Sequence, residues 1–254
     1  MDAMKRKIES WYFRERVPLF SLYDTIVENE TKVASIILDV GAGRRPHTNR
    51  AIAMDVSESE LKANISSAAK VVAAAEHLPF RKECIELLTC SSVLEHLISP
   101  KAFFSEAAGV LKPGGRLVAL FSCRFAPFAI LNRFLPHALI VSLLHHFVEN
   151  PGTGFPAYYT DCYPSRMRQI LAETDLQIED IHLNYYQSEY YIFFMPLYLL
   201  SFLFDLFLTW LNRENLCSHM LIVARKPQVS AGNKNTEREA LMQLPEPQTT
   251  MKDA

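Results

Sequence analysis

Two glycines and an acid lie where an α/β protein would bind a nucleotide. Gly41 and Gly43 directly follow the apolar run 34–40, and Asp55 ends the next apolar run, 51–55. Glycine lets the backbone turn tightly and approach a ligand without a Cβ in the way. A carboxylate after the neighbouring strand can accept hydrogen bonds from both hydroxyls of a ribose. The pair indicates a nucleoside-containing cofactor, but the third glycine is missing, so a nicotinamide dinucleotide is not excluded.

Two segments further along the chain narrow the choice of cofactor. AAEHLPF at 74–80 and VLEHLISPKAFFSEAAGVLKPGGRLV at 93–118 follow the glycine loop and the acid in order. With these motifs the chain resembles class I S-adenosylmethionine-dependent methyltransferases, specifically the UbiE or methyltransferase type 11 group. The resemblance runs from about Ser35 to Phe121, with a weaker match in 155–186. It implies a Rossmann-like domain with S-adenosylmethionine (SAM) as cofactor, and a nicotinamide dehydrogenase becomes the weakest alternative.

The resemblance implies a role at the cofactor for ten residues. A first loop would surround the methionine part of SAM, an acid would hold the ribose, and later residues would contact adenine and the sulfonium. The residues concerned are Asp39, Gly41, Ala42 and Gly43 for the loop, Asp55 for the ribose diol, Val56 for the adenine face, Ala75 and Glu76 for the adenine edge, and Cys90 and Ser91 for the sulfonium side.

The sequence departs from the family pattern in three places. The loop reads G-A-G-R-R-P and lacks the third glycine of the family's G-C-G-T-G. Only eleven residues separate Gly43 from Asp55. At ~1.5 Å per residue, and with Pro46 interrupting, a short turn of helix at most fits there. Ala74 stands where the family has an acid that contacts adenine. A non-catalytic binding or scaffold protein with this fold is therefore an alternative.

Catalysis of methyl transfer asks little of side chains. A sulfonium is a strong electrophile, so the protein must chiefly align the reactants and exclude water. A general base is needed only if the acceptor is a hydroxyl or an amine. The candidates are His96, Tyr158, Tyr159 and Asp161. For His96 we expect a structural bond to the backbone ahead of catalysis, and for the tyrosine pair we expect packing.

No metal site is predicted. Ser92 replaces the first glutamate of an E-x-x-E-H metal motif, which leaves only Glu95 and His96 of that pattern. The five cysteines are scattered and have no C-x-x-C spacing. An odd, scattered set is typical of reduced thiols in a cytoplasmic protein.

The elements that must position these residues alternate between strands and helices. Residues 1–31 predict a helical lead-in and 32–226 the methyltransferase domain, with a helix from about Pro100 to Leu111. Apolar runs indicate strands at 34–40, 51–55, 70–75, 85–91, 116–122, 176–186 and 219–225. The prediction is an α/β, Rossmann-like fold: a seven-stranded, mostly parallel sheet with helices on both faces, a shortened first helix and two apolar helical insertions. Residues 227–254 are poor in large apolar groups and predict a disordered tail.

The two apolar insertions are at 125–148 and 190–211. The second is long enough to span a bilayer, for which ~20 apolar residues suffice. Asp205 and Pro196 oppose a simple span. A single crossing is excluded because the strands before and after it belong to one sheet. Both insertions leave the sheet at its carboxyl edge, so we expect peripheral contact with a membrane or a lipophilic acceptor; an apolar lid or a homodimer interface is the alternative.

Charge and composition limit the kinds of partner that we expect for this chain. A net charge of −2 and a pI of about 6.5 do not favour nucleic acid. The charged N-terminus, MDAMKRKIESWYFRERV, does not predict a secretory signal. We therefore expect a cytoplasmic protein with peripheral contact at the cytoplasmic membrane face. The leading hypothesis is in-line methyl transfer from SAM to a lipophilic or lipid-linked acceptor, and the alternative acceptor is a soluble small molecule or glycan precursor.

Overall fold

The computed structural model describes residues 2–14, 16–44, 48–65, 69–134, 155–191 and 194–228. Within these ranges seven strands form one sheet, with the bounds β1 Ile37–Val40, β2 Ile52–Asp55, β3 Ala69–Val72, β4 Ile85–Ser91, β5 Leu111–Ser122, β6 Gln177–Asn184 and β7 His219–Arg225. The order across the sheet is β3-β2-β1-β4-β5-β7-β6. β7 runs antiparallel to β5 and β6, and the other neighbouring strands are parallel. The predicted seven-stranded, mostly parallel sheet is confirmed.

Helices cover both faces of the sheet, as predicted. Their bounds in the described ranges are α1 Asp2–Tyr12, α2 Leu19–Val33, α3 Glu58–Ala63, α4 Pro100–Val110, α5 Pro127–Phe134, α6 Pro164–Ala172 and α7 Met195–Leu211. On one face α2 packs against Leu87, Val118 and Leu120. On the other face α4 and α6 pack in the same core as Leu88 and Leu117. Side chains of β4 and β5 thus alternate between two apolar layers, which explains their nearly continuous apolar sequence.

Three boundaries differ from the predictions. The lead-in expected as helix over 1–31 is two helices, because Pro18 lacks an amide hydrogen and restricts the residue before it. β3 ends at Val72 rather than at residue 75, since Val72 pairs with Asp55, the last residue of β2. β5 begins at Leu111 rather than at residue 116, and its pairing with β4 is irregular at that end.

The connection between β1 and β2 is short, as the sequence indicates. Its described residues, 41–44 and 48–51, form turns and no helix. The parallel register pairs Leu38 with Ile52 and Val40 with Met54, so both strands end at the same edge of the sheet. The glycine loop and Asp55 therefore leave the sheet side by side.

The two apolar insertions are described to different extents. The second contains α7, and the first begins with α5, while residues 135–148 of that insertion lie outside the described residues. Residues 229–254 of the expected tail also lie outside them. Among the helices of the described ranges, none combines the length and the apolar character needed to cross a membrane.

A buried carboxylate fixes α7 to the end of β6. Asp205 Oδ2 accepts hydrogen bonds from the backbone amides of Gln187 and Ser188, at 3.0 and 2.9 Å, and from Ser188 Oγ at 2.8 Å. Burial raises the pKa of Asp205 to about 6, although these bonds favour the ionised form. The first turn after β6 and the middle of α7 are thereby held together.

Replacement of Asp205 by asparagine should remove a pH dependence of stability. Because the pKa of Asp205 in the folded chain, about 6, exceeds its ordinary value of 3.8, folding favours the protonated carboxyl. That stabilisation is complete below about pH 4 and is lost as the pH rises through about 6, on the order of 3 kcal/mol in all at about 1.36 kcal/mol per pKa unit.

Denaturant unfolding of the wild-type and D205N chains, at about pH 4.5 and about pH 7.5, measures this difference. The free energy of unfolding should change less with pH in D205N than in the wild type. An equal change in the two proteins would show that Asp205 does not titrate as proposed.

Candidate active site

A cavity of about 570 Å³ lies at the carboxyl ends of β1, β2 and β4. Its volume is in the range of small-molecule sites. The loops after β1 to β4 form most of its wall, and residues 155, 156 and 158 complete it. The chain order reverses direction across the sheet between β1 and β4, and in open α/β sheets ligands bind at such a switch point.

The cavity brings together most of the residues expected to bind the cofactor. Seven of those ten line it: Gly41, Gly43, Asp55, Val56, Ala75, Glu76 and Ser91. The other three, Asp39, Ala42 and Cys90, are buried and are not among the lining residues. Asp39 Oδ1 accepts a hydrogen bond from Thr89 Oγ1 at 2.8 Å, inside the sheet. Burial raises the pKa of the Cys90 thiol well above its ordinary value.

Asp55 joins the two loops of the cofactor side. Its Oδ2 accepts a hydrogen bond from the Gly43 amide at 3.0 Å, and its Oδ1 accepts one from the Ser57 amide at 2.8 Å. Asn64 Nδ2 donates to the Gly43 carbonyl at 3.1 Å. An ionised carboxylate can accept about four hydrogen bonds. Asp55 can therefore order the loops and still accept bonds from a ligand.

Gly41 is required by backbone shape and by space. Its φ is +71°, and a Cβ at this position would lie 2.0 Å from Val93 Cγ2. Its amide and that of Ala42 donate to the Met54 carbonyl at 2.8 and 3.1 Å, which pins the loop to the end of β2. An L-residue with a side chain would be strained in φ and would collide with the loop after β4.

The cofactor side of the cavity is acidic. Asp55, Glu60 and Glu76 line it, and no lysine or arginine is among the described lining residues. Glu60 receives two hydrogen bonds from Arg44, of 2.7 and 3.0 Å, and Glu76 Oε1 accepts one from the Ile98 amide at 3.2 Å. Clustered carboxylates repel a pyrophosphate and attract a cation. This charge disfavours a nicotinamide dinucleotide.

The sequence predictions missed several residues of the cavity wall. One of them, Glu60, could have been found from a sequence pattern. Ser57 caps α3, and its Oγ accepts a hydrogen bond from the Glu60 amide at 3.3 Å. S-x-x-E after a strand is the signature of a helix start, and it places Glu60 in the first turn beside Asp55. The other missed residues are apolar or small: Val40, Met54, Ala73, Ala74, Ser92, Val93, Leu97, Ile98, Phe155 and Pro156.

Three hydrogen bonds fasten the segment from residue 155 onward to the 3₁₀ turn Leu94–His96. The amides of Tyr158 and Tyr159 both donate to the Glu95 carbonyl, at 2.8 and 2.9 Å. His96 Nδ1 donates to the Pro156 carbonyl at 3.0 Å, which is the backbone bond expected for this histidine. His96 and Tyr158 consequently face the same cavity.

The remaining two catalytic candidates lie elsewhere. Tyr159 is buried with Ala126 and Ala129. Asp161 pairs with Arg166 at 3.4 Å, and neither it nor Tyr159 is among the cavity's lining residues. Both have positive φ, +52° and +58°, so the chain bends sharply there. Within the described residues, no group of three or more histidines, cysteines and acids is placed to hold a metal ion.

Residues 38–119 match the family model of a methyltransferase domain, Methyltransf_11. Over these residues, about a third of the chain, the sequence is similar to this family of methyltransferase domains. The match covers the glycine loop, Asp55, the cavity's acidic side and the strands that position them. The methyl donor of this class is S-adenosylmethionine.

The chain is similar to a curated protein and to several solved structures. The uncharacterized protein MJ1123 of Methanocaldococcus jannaschii is 28% identical over 120 residues, which are 46% of this chain and 58% of that protein. The structure of BH2331 from Bacillus halodurans has a TM-score of 0.50 and 20% identity, and covers 82% of this chain and 100% of its own. A geranyl diphosphate C-methyltransferase of Streptomyces coelicolor, crystallised with Mg²⁺, geranyl diphosphate and S-adenosylhomocysteine, has a TM-score of 0.54 and 15% identity, over 82% of this chain and 81% of that one. At these identities the structural likeness shows the fold.

Replacement of Gly41 by alanine should destabilise the folded chain. The positive φ and the clash with Val93 should lower the free energy of unfolding by about 1–3 kcal/mol. Gly109→Ala is the control, because in α4 a Cβ there meets no atom within 4 Å. It should raise the free energy of unfolding by about 0.4–1 kcal/mol. Urea unfolding measures both, and an unchanged stability of G41A would contradict the geometry.

Proposed function

We propose that the chain is a SAM-dependent methyltransferase that binds its cofactor between the glycine loop and Asp55. The observation that carries the proposal is the hydrogen bond from the Gly43 amide to Asp55, which places the loop and the acid at one acidic cavity. The loop would hold the methionine part, and Asp55 has acceptor positions left for the ribose hydroxyls. When bound, SAM supplies an electrophilic methyl group.

The acidic wall would suit the charges of SAM. Its sulfonium and its ammonium are cations, and Asp55, Glu60 and Glu76 are all on the cofactor side of the cavity. Val56 is largely exposed in this wall and would pack on adenine, as its place after Asp55 indicates. Because Ala74 replaces the family's acid, the amino group of adenine would donate its hydrogen bonds to backbone carbonyls instead. Asp39, Ala42 and Cys90 would support the site from behind.

The acceptor end of the cavity would suit a lipophilic molecule. Apolar side chains form it, with His96 as its ionisable neighbour. They are Val93, Leu97, Ile98, Phe155, Pro156 and Tyr158, of which Tyr158 also offers a hydroxyl. An apolar wall excludes water from the transfer and binds apolar surface at roughly 25 cal/mol per Å². A lipophilic or lipid-linked acceptor is therefore favoured over a highly charged soluble one.

The helix α7 is apolar on its exposed side as well as on its buried side. Its buried residues are Tyr198, Ser201, Phe202, Asp205 and Leu208, and its exposed face is a stripe of large apolar side chains. The members of this exposed stripe are Leu199, Leu200, Leu203, Phe204, Phe207 and Trp210, with Leu203 63% and Trp210 79% exposed. An aqueous surface disfavours such a stripe. We therefore propose that α7 lies in the plane of a membrane interface.

The exposed stripe and the cavity belong to the same edge of the sheet. α5 and α7 follow the carboxyl ends of β5 and β6, the edge at which the cavity also lies. α5 is joined to the chain before α7 by a hydrogen bond from the Phe128 amide to Gln187 Oε1, at 3.2 Å. Phe134, at the end of α5, is also largely exposed. A membrane at this edge would present a lipid acceptor to the active site.

Replacement of Asp55 by asparagine should weaken SAM binding roughly 10- to 150-fold, because one or more charge-assisted hydrogen bonds are lost. The control is Glu58→Gln, since Glu58 pairs with Lys62 on the exposed side of α3. Isothermal titration with SAM measures both variants against the wild type. Equal affinity of D55N and wild type would refute the assignment of Asp55, and a wild type without affinity for SAM would favour the non-catalytic alternative.

Replacement of Leu203 and Phe207 together by serine should reduce binding to vesicles at least about tenfold, since two large apolar contacts are lost. The control is Val33→Ser, because Val33 is 79% exposed but ends the helix before β1, at the opposite edge of the sheet. Co-sedimentation with phosphatidylcholine and phosphatidylglycerol vesicles measures binding. A wild type that stays in the supernatant would overturn the membrane proposal, and a dimer dissociated by the same double variant would assign the stripe to a subunit interface.

A further inference from the structure

His96 is the histidine at the acceptor end of the cavity. It ends the 3₁₀ turn after β4 and lines the cavity next to Leu97 and Phe155. Its ring contacts the Phe155 ring edge-on, with the centroids 6.2 Å apart. The ring is thus held between the loop after β4 and the segment that covers the cavity.

The bond to Pro156 fixes which ring nitrogen is basic. A carbonyl oxygen only accepts hydrogen bonds, so the 3.0 Å contact requires a hydrogen on Nδ1. In a neutral imidazole the other nitrogen then carries the lone pair, which here is Nε2. Nε2 has no hydrogen-bond partner among the described residues. The bond to the Pro156 carbonyl therefore leaves the basic nitrogen unbonded on a residue that lines the cavity.

The other ionisable groups near the cavity already take part in hydrogen bonds or an ion pair, or are buried. Asp55 and Glu76 accept backbone hydrogen bonds on the cofactor side, and Glu60 is paired with Arg44. Glu95 is fully buried behind the wall, and burial raises the pKa of its carboxyl, so it resists ionisation. Among the described lining residues of the acceptor end, Tyr158 is the other ionisable side chain, and Glu76 reaches this end through its bond to the Ile98 amide.

We infer that His96 Nε2 is the general base for the proposed methyl transfer, and that the accepting atom of the lipophilic acceptor bears a proton, as in a phenol, an alcohol or an amine. This inference rests on the proposed function. The acceptor's lone pair forms the new bond to the methyl carbon, the carbon–sulfur bond breaks with its electron pair going to sulfur, and the acceptor's proton passes to Nε2. The imidazolium then returns that proton to solvent.

The test separates a base from a structural residue by two matched variants. In His96→Asn the side-chain amide nitrogen takes the position of Nδ1, so the bond to Pro156 is kept and the basic nitrogen is removed. His77→Asn is the control, because His77 is exposed and is not among the cavity's lining residues. Both variants should keep the wild-type melting temperature and the wild-type affinity for SAM by isothermal titration.

The first readout needs no activity. Nitrogen-15 NMR of the histidine ring in the free protein, assigned by its absence in H96N, should show the hydrogen on Nδ1 and an unprotonated Nε2 in the neutral form. A hydrogen on Nε2 instead would overturn the inference, whether or not the protein binds SAM.

The second readout uses 4-nonylphenol as a hydroxyl probe and its O-acetyl ester as the blocked counterpart. With labelled SAM, wild type and H77N should methylate the phenol and not the ester, and H96N should be about 100- to 10,000-fold slower, without the fall in rate towards low pH that a protonated base causes. The inference would be contradicted if H96N methylated the phenol as fast as the wild type, or if the ester became labelled. It would also be contradicted if a wild type that binds SAM transferred no label to the phenol. A wild type that does not bind SAM would instead refute the proposed function.

Discussion

The hydrogen bond between the Gly43 amide and the Asp55 carboxylate is the contact on which the site depends. It is possible because β1 and β2 are parallel and in register, so that the loop after one strand and the last residue of the other meet at one edge. The bond spans the short connection that replaces a full helix, and Asn64 and the Met54 carbonyl hold the same loop from two further sides. This bond is the direct contact between the loop and the carboxylate proposed to bind the ribose.

At the opposite end of the cavity a second set of hydrogen bonds performs two tasks. The segment from residue 155 onward is fastened to the turn Leu94–His96, which closes the cavity. The same bond to Pro156 sets the tautomer of His96, because it requires the hydrogen on Nδ1 and leaves the lone pair on Nε2. The backbone role and the proposed catalytic role of this histidine are compatible, because each uses a different ring nitrogen.

The helix α7 has a polar anchor inside and an apolar stripe outside. Burial of Asp205 disfavours its ionised form and raises its pKa. The three hydrogen bonds that it accepts fix the helix to the end of β6. The orientation of α7 follows from this anchor, since its apolar residues occur on every side and would allow several others. An anchored helix with an apolar outer face suits an interface with lipid better than a loosely packed surface element does.

The sequence alone determined the α/β class, the seven strands and the meeting of the glycine loop with Asp55, because buried parallel strands are nearly continuous apolar runs and their carboxyl ends share one edge. Tertiary structure decided what depends on register and side-chain direction. It placed Asp39 and Cys90 inside the sheet, since alternate residues of a strand point to opposite faces. It ended β3 where its partner strand ends. It also set which of the apolar residues of α7 are buried and which are exposed. It also brought His96 to Pro156, sixty residues away along the chain, through a contact that no local pattern of residues encodes.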